Sequence, residues 1–128
     1  AEDAWYKFAA YIGQWTLRGY GLFAITLKTD AKTIGFCGPM HPGGQAEPEM
    51  SWLLCTPEYA GRGFAQEASG TVIAHLFQTN RWDSLVSFIH PDNTASARLA
   101  ERLGAVPDPA TPSDIKGCDT WRHHRGNA

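Results

Sequence analysis

The stretch Glu58 to Ala68, EYAGRGFAQEA, carries two glycines across the junction of an expected strand and an expected helix. Gly61 and Gly63 permit backbone angles that residues with a Cβ resist, and they let a bulky phosphate approach the main chain. The helix start that follows adds unpaired N–H groups and the positive end of its dipole, so the segment has the makings of an anion cradle. Two familiar phosphate motifs do not fit. A P-loop requires Lys and then Ser or Thr after its second glycine, where this chain has Phe64 and Ala65. A dinucleotide fingerprint begun at Gly61 requires Gly or Ala at the position of Gln66. A lone GxG is also explained by turn geometry alone, so the reading needs a second motif.

That motif lies downstream in SFIHPDNTASARLAERLGA, Ser87 to Ala105, which reads as strand, turn, a helix capped by Asn93 and a stop at Gly104. Ser96 falls in the first helical turn, where a hydroxyl is favoured and can point into a cleft. His90 ends the strand with a side chain whose ordinary pKa suits base work, although a histidine there is more often simply packed or exposed.

The elements that must hold these residues follow from hydrophobic spacing. Trp5, Phe8, Ile12 and Trp15 recur at helical intervals, predicting an amphipathic helix that ends near Gly19 and turns this aromatic stripe into the core. Leu22 to Leu27 and Thr33 to Cys37 predict an antiparallel hairpin, and Pro39 to Pro48 a Gly- and Pro-rich loop. Glu49 to Cys55 alternates, with Glu49, Ser51 and Leu53 on one face and Met50, Trp52 and Leu54 on the other. The helix after Gly63 gathers Ala65, Ala68, Ser69, Val72 and Leu76 on one face, small enough at its start for close approach to a sheet. Leu85 to Ile89 has the continuous apolar character of a buried parallel strand. Asn93 to Leu103 is the next helix, Val106 to Gly117 is expected to be irregular, and Asp119 to His124 closes the sheet.

With 128 residues the chain is expected to form one domain, residues 1–128, burying roughly two-thirds of the surface of its unfolded form. Its formal charge of −2, with acidic and basic residues interspersed, supplies neither a nucleic-acid footprint nor a membrane-binding basic face. Cys37, Cys55 and Cys118 are odd in number and widely spaced, which favours reduced thiols and a cytoplasmic location. No CxxC or HExxH spacing suggests zinc, and no apolar run is long enough to span a bilayer.

Together the two segments resemble motifs A and B of the GNAT superfamily of acetyl-CoA-dependent N-acetyltransferases, most of all its ribosomal-protein N-terminal acetyltransferase (RimJ/RimL-like) branch. The family's Gln/Arg-x-x-Gly-x-Gly/Ala pattern maps onto Ala60, Gly61, Arg62, Gly63, Phe64 and Ala65, and the branch's Asn-x-x-Ser onto Asn93 and Ser96. Ala60 departs from the pattern, removing one side-chain contact while leaving the backbone cradle. The resemblance runs from about Trp5 to Arg125. It implies an α/β fold with a mixed, partly antiparallel central sheet flanked by helices. The family's first strand is expected to be absent, because little precedes Trp5. The Leu22 to Leu27 strand would then be an edge, which a helix or a second copy in a homodimer would cover.

The resemblance also assigns chemistry. Acetyl-CoA is the implied cosubstrate, with no metal, and a small-molecule or peptide amine is the acceptor. Gly61, Arg62, Gly63, Phe64, Ala65, Asn93 and Ser96 are expected to bind coenzyme A. An amine of pKa near ~10 must lose a proton before attack. Glu49, which resembles the glutamate that begins the strand beside the glycine loop in this branch, is the expected base, and Glu47 a weaker substitute. A strand-end carboxylate that only contacts a substrate cation would look the same. Many relatives place a tyrosine seven residues after the motif Asn to assist the leaving thiolate; here that position is Ala100. Ser96 resembles the serine the branch places near the sulfur and is expected to serve instead. Two other classes stay open: an acyl-CoA-binding or sensor module without turnover, and a dimerisation or structural relic without ligand.

Overall fold

The structure is a computed structural model that describes residues 1–126; Asn127 and Ala128 lie outside the described residues. Helix α1 (Glu2–Arg18) leads into strands β1 (Phe23–Thr26), β2 (Thr33–Met40) and β3 (Glu49–Leu54). A short 3-10 turn (Pro57–Tyr59) precedes helix α2 (Phe64–Thr79). Strand β4 (Ser84–Ile89), helix α3 (Thr94–Arg102), strand β5 (Val106–Pro107) and strand β6 (Asp119–His124) complete the order. The six strands form one mixed sheet in the order β1-β2-β3-β4-β6-β5. This is the expected α/β architecture, with β1 at an edge and no further strand paired to it among the described residues.

The core forms where α2 lies on the sheet. Ile73 and Leu76 of α2 meet Ile34, Cys37, Met50 and Leu85 in one buried cluster, the arrangement that the small residues at the helix start allow. A second, smaller cluster joins Ile89 to Ala100 and Ala105 beneath α3, with Trp52 and Trp121 against it. Helices α2 and α3 therefore cover the same side of the sheet as Met50 and Trp52, and Glu49 points the other way, as strand alternation requires.

Three expectations change. The aromatic stripe of α1 is not core: Trp5 is 67% exposed, Phe8 57% and Ile12 55%, and Gln14 is the helix's one buried residue. Periodicity shows that a helix has an apolar face, but not that the face meets the sheet. This helix is held through its last turns, where Gln14 donates to the carbonyls of Tyr20 and Pro39 and accepts from the His41 N–H. Strand β2 runs on to Met40, taking Pro39 out of the expected loop and into register with Met50. Val106 and Pro107, expected to be irregular, pair antiparallel with Arg122 and Trp121. The predicted stop at Gly19 is present, with a φ of +79° that glycine tolerates best. Cys37, Cys55 and Cys118 are all free thiols. Among the described residues no helix is long and apolar enough to cross a membrane.

Candidate functional site

The glycine turn is built as an open cradle. Gly61 has a φ of +73° and Gly63 of +82°, conformations that side-chain-bearing residues rarely hold. A Cβ added at either glycine would meet nothing within 4 Å, so the space before the main chain is free. Gly63 is the N-cap of α2 and no side chain caps that helix, which leaves the first-turn N–H groups of Phe64 and Ala65 without a side-chain partner. Arg62 is exposed yet not adrift: its guanidinium sits 5.0 Å from the Phe64 ring centre and 5.8 Å from that of Tyr59. Stacking on two rings restrains a cation beside the amides. This set fits a pyrophosphate: backbone donors, a helix dipole and one fixed positive charge.

The sheet opens next to this cradle. Strands β2 and β3 share six paired positions and so do β4 and β6, whereas β3 and β4 are parallel and share only Glu49 with Val86. Beyond that pair the two strands part. Ser87 Oγ donates to the Met50 carbonyl at 2.6 Å just past the last pairing. Farther along, the Trp52 indole N–H donates to Ser96 Oγ at 3.1 Å, linking β3 to the start of α3. Asn93 caps α3 as expected, its side-chain oxygen accepting from the Ser96 N–H at 3.1 Å. Ser96 is thus fixed twice, at its amide and at its hydroxyl, and a hydroxyl that accepts from an indole keeps its own proton to donate. Ala100 is fully buried against Ile89 and Ala105, so α3 presents no phenol at this position.

Glu49 lies at the single β3–β4 pairing and is buried. Its Oε2 accepts from the Phe88 N–H at 3.2 Å. Burial pushes its carboxyl above the ordinary 4.5, the Phe88 N–H and the Ser51 hydroxyl pull it back, and the charge of Asp114 adds to the rise. A carboxylate raised toward neutrality is a better proton acceptor than an exposed one. The expected substitute, Glu47, is already committed: its two oxygens take Arg122 at 2.8 and 3.1 Å. Arg122 also donates to Asp108 at 2.7 Å. His90 is exposed, with its Nδ1 accepting from the Asp92 N–H, and the ring is a turn partner at the strand end. The other histidine of the sheet, His123, is buried and bonded to Ser87 Oγ at 2.8 Å. Burial and then the neighbouring His124 lower its pKa to about 4, which keeps it neutral.

Residues 1–106 match the family model of the acetyltransferase (GNAT) domain. The chain belongs to the GNAT acetyltransferase family. Its fold agrees with that membership: an acetyltransferase from Agrobacterium tumefaciens superposes with a TM-score of 0.90 at 32% identity, over 98% of this chain and 72% of that one. A GNAT-family acetyltransferase from Bordetella pertussis gives 0.79 at 26% identity, over 94% and 74%. The uncharacterized protein YkkB of Bacillus subtilis (strain 168) is 29% identical over 92 residues, which are 68% of this chain and 52% of that protein. The chain thus spans about half the length of this curated relative.

Within this GNAT domain the structure brings Asn93 and Ser96 together and places Gly61 to Ala65 in one continuous cradle. Glu49 approaches from the opposite side of the sheet. Sequence reasoning missed Trp52, whose only signal was that it alternates away from Glu49. It missed the Glu47–Arg122–Asp108 cluster as well, because its members lie up to 75 positions apart.

Proposed function

We propose that this GNAT domain binds acetyl-CoA and moves the acetyl group to a primary amine by direct attack in a ternary complex. The observation that carries the proposal is the parting of β3 from β4 beside an uncapped, glycine-opened helix start. The two features supply a slot and an anion cradle at one end of the sheet. Acetyl-CoA would supply the thioester carbonyl, and Gly61, Arg62, Gly63, Phe64, Ala65 and Asn93 would hold it. Glu49 receives the proton that the acceptor ammonium must lose, directly or through water, from the face opposite α3. Ser96 donates its free proton toward the departing sulfur. The mapped motif and the Glu49 position support the ribosomal-protein N-terminal acetyltransferase branch, and a homodimer closing the free β1 edge fits the exposed strand.

The test is release of coenzyme A across a panel of primary amines, alongside thermal shift with acetyl-CoA. Turnover with at least one amine together with a shift is the expected result. A shift without release by any amine would favour the second reading, an acyl-CoA-binding module, which Ala60 and the buried Ala100 both support.

Ser96→Ala is expected to slow the chemical step roughly ten- to a thousandfold, the range for one preorganised donor to developing charge. Trp52→Phe keeps a ring in place but removes the indole donor that orients Ser96, and is expected to cost roughly tenfold, within that same range. In a Ser96→Ala background the Trp52 change should cost little more, since the two act through one hydroxyl. Single-turnover rates measure both. Full additivity would separate Trp52 from the thiolate, and undiminished turnover in Ser96→Ala would leave Ser96 as a helix-start residue only.

A further inference from the structure

The side chain of Arg122 is committed in full. A guanidinium has five N–H donors and no acceptor. Here Nε donates to Asp108 Oδ2 at 2.7 Å, and Nη1 to Glu47 Oε1 at 2.8 Å and Ser84 Oγ at 2.9 Å. Nη2 donates to Glu47 Oε2 at 3.1 Å and to Thr111 Oγ1 at 3.2 Å. The Thr111 hydroxyl in turn donates to Asp108 Oδ2 at 2.8 Å. No N–H is left over for a ligand, so this cation is a clasp among the lead into β3, the start of β4 and the segment after β5.

Its place in the sheet gives the clasp something to act on. Val86 pairs with Glu49 on one side and with Arg122 on the other. The three form one row across β3, β4 and β6, and their side chains leave the same face, with Arg122 about 9–10 Å from Glu49 by strand spacing. Glu47 precedes Glu49 on the same strand lead and has both oxygens on Arg122. Residues 108–118, which join β5 to β6, are tied to the same guanidinium at Asp108 and Thr111. That segment covers the Glu49 face. Thr120, on this face beside Arg122, is only 5% exposed and lines one concavity with Thr111, Ser113 and Cys118. Burial and then the Glu49 charge raise the Cys118 thiol, and Asp114 adds to the rise that burial gives Glu49.

We infer that Arg122 is a positioning residue for amine turnover: it fixes the chain leading into Glu49 and holds residues 108–118 across the acceptor side of that carboxylate. The inference rests on the acetyl-transfer reading for its kinetic consequence. Arginine is needed for geometric reasons. Its rigid fork spreads donors toward several segments at once, whereas a lysine ammonium concentrates three donors at one point and cannot serve Glu47, Asp108 and Thr111 together. Stability alone does not account for the cluster, because taking these charges out of water offsets much of their attraction.

Two variants of the whole protein test it. Asp108→Ala cuts the segment from the clasp and leaves Glu47 and Ser84 on Arg122, while Arg122→Lys keeps the charge and loses the fork. Cys118 reports the segment through its alkylation by iodoacetamide, followed by mass spectrometry with the exposed Cys55 of the same molecule as reference. Both variants are expected to speed Cys118 alkylation about tenfold relative to Cys55, the local opening that loss of a charge-assisted contact allows. With butylamine and with alaninamide, kcat/KM for the amine is expected to fall at least about tenfold, the scale of a misplaced reacting group. Acetyl-CoA affinity by calorimetry should stay at the parent's value. An affinity that falls in step with the amine rate marks general loosening and overturns the inference. So does an unchanged Cys118 rate, or an amine kcat/KM kept in full by a variant whose Cys118 is freed. Release of coenzyme A by the parent with neither amine, while Cys118 is freed in both variants, upholds the clasp and sinks acetyl transfer to alkyl and N-terminal amines. Release by the parent with every variant rate unchanged does the reverse.

Discussion

Gly63→Val is expected to weaken acetyl-CoA binding about a hundredfold, some 2.7 kcal/mol, and to lower turnover in parallel. Two effects act at this position. The φ of +82° is costly for any β-branched residue, and the added side chain would stand in the open space before the main chain, through which the proposed phosphate would reach the amides. Strain alone, of order 1–3 kcal/mol, shows as a lower melting temperature. Occlusion shows as lost affinity. Gly63→Asn separates them, because Asn accepts the left-handed conformation far more readily while still filling the space. The Asn variant is expected to melt within a few degrees of the parent and yet bind acetyl-CoA poorly by calorimetry. Undiminished affinity in a folded Gly63→Val protein would remove the cradle from the site.

Glu49→Gln is expected to cut turnover at neutral pH by about 10²–10⁴-fold, the usual contribution of a positioned base, with acetyl-CoA affinity unchanged. The deficit should shrink as the pH nears the acceptor's own pKa of ~10, where free amine no longer needs a base. In the parent, the acid limb of kcat/KM lies above the ordinary carboxylate value of 4.5, since burial raises Glu49. The variant lacks that limb. Stability moves the opposite way. A carboxyl whose folded pKa is raised holds its proton more tightly when folded, so the parent loses stability as pH climbs from 4.5 through the folded value. Gln is neutral throughout and keeps an oxygen for the Phe88 N–H. The variant's melting temperature should therefore exceed the parent's at pH 7 and approach it at pH 4. A rate loss that is uniform across pH would assign Glu49 to substrate binding, and no loss would take it out of the mechanism.

The parts of this site that were legible beforehand are the local ones. A helix beginning at Phe64 follows from two glycines and a run of small residues, and the Asn93 cap follows from its place before Thr94. Alternation along β3 placed Glu49 and Trp52 on opposite faces, as the structure has them. What stayed hidden depends on which distant segments meet. The Trp52 to Ser96 bond spans 44 positions, and nothing local marks an indole as the partner of a serine on a later helix. The Glu47–Arg122–Asp108 cluster draws Asp108 from the irregular segment after β5, and irregular backbone carries no period to read. The stripe of α1 was visible, but its destination was not: an amphipathic pattern reports that a face exists and is silent about what covers it.

The attachment of that helix has its own consequence. Its first nine residues, Glu2 to Ala10, are all exposed, and two neighbouring side chains hold it: Gln14 bonds to Tyr20, Pro39 and His41, and the Trp15 indole donates to the Leu22 carbonyl. Helices in proteins take most of their stability from packing an apolar face, and this one leaves Trp5, Phe8 and Ile12 more than half exposed. Release of α1 and melting of the sheet are thus separate events with separate free energies. Backbone amides from Trp5 to Tyr11 should exchange with deuterium long before those of Ile73 or Val86, and one common rate for all would show the chain to be a single cooperative unit.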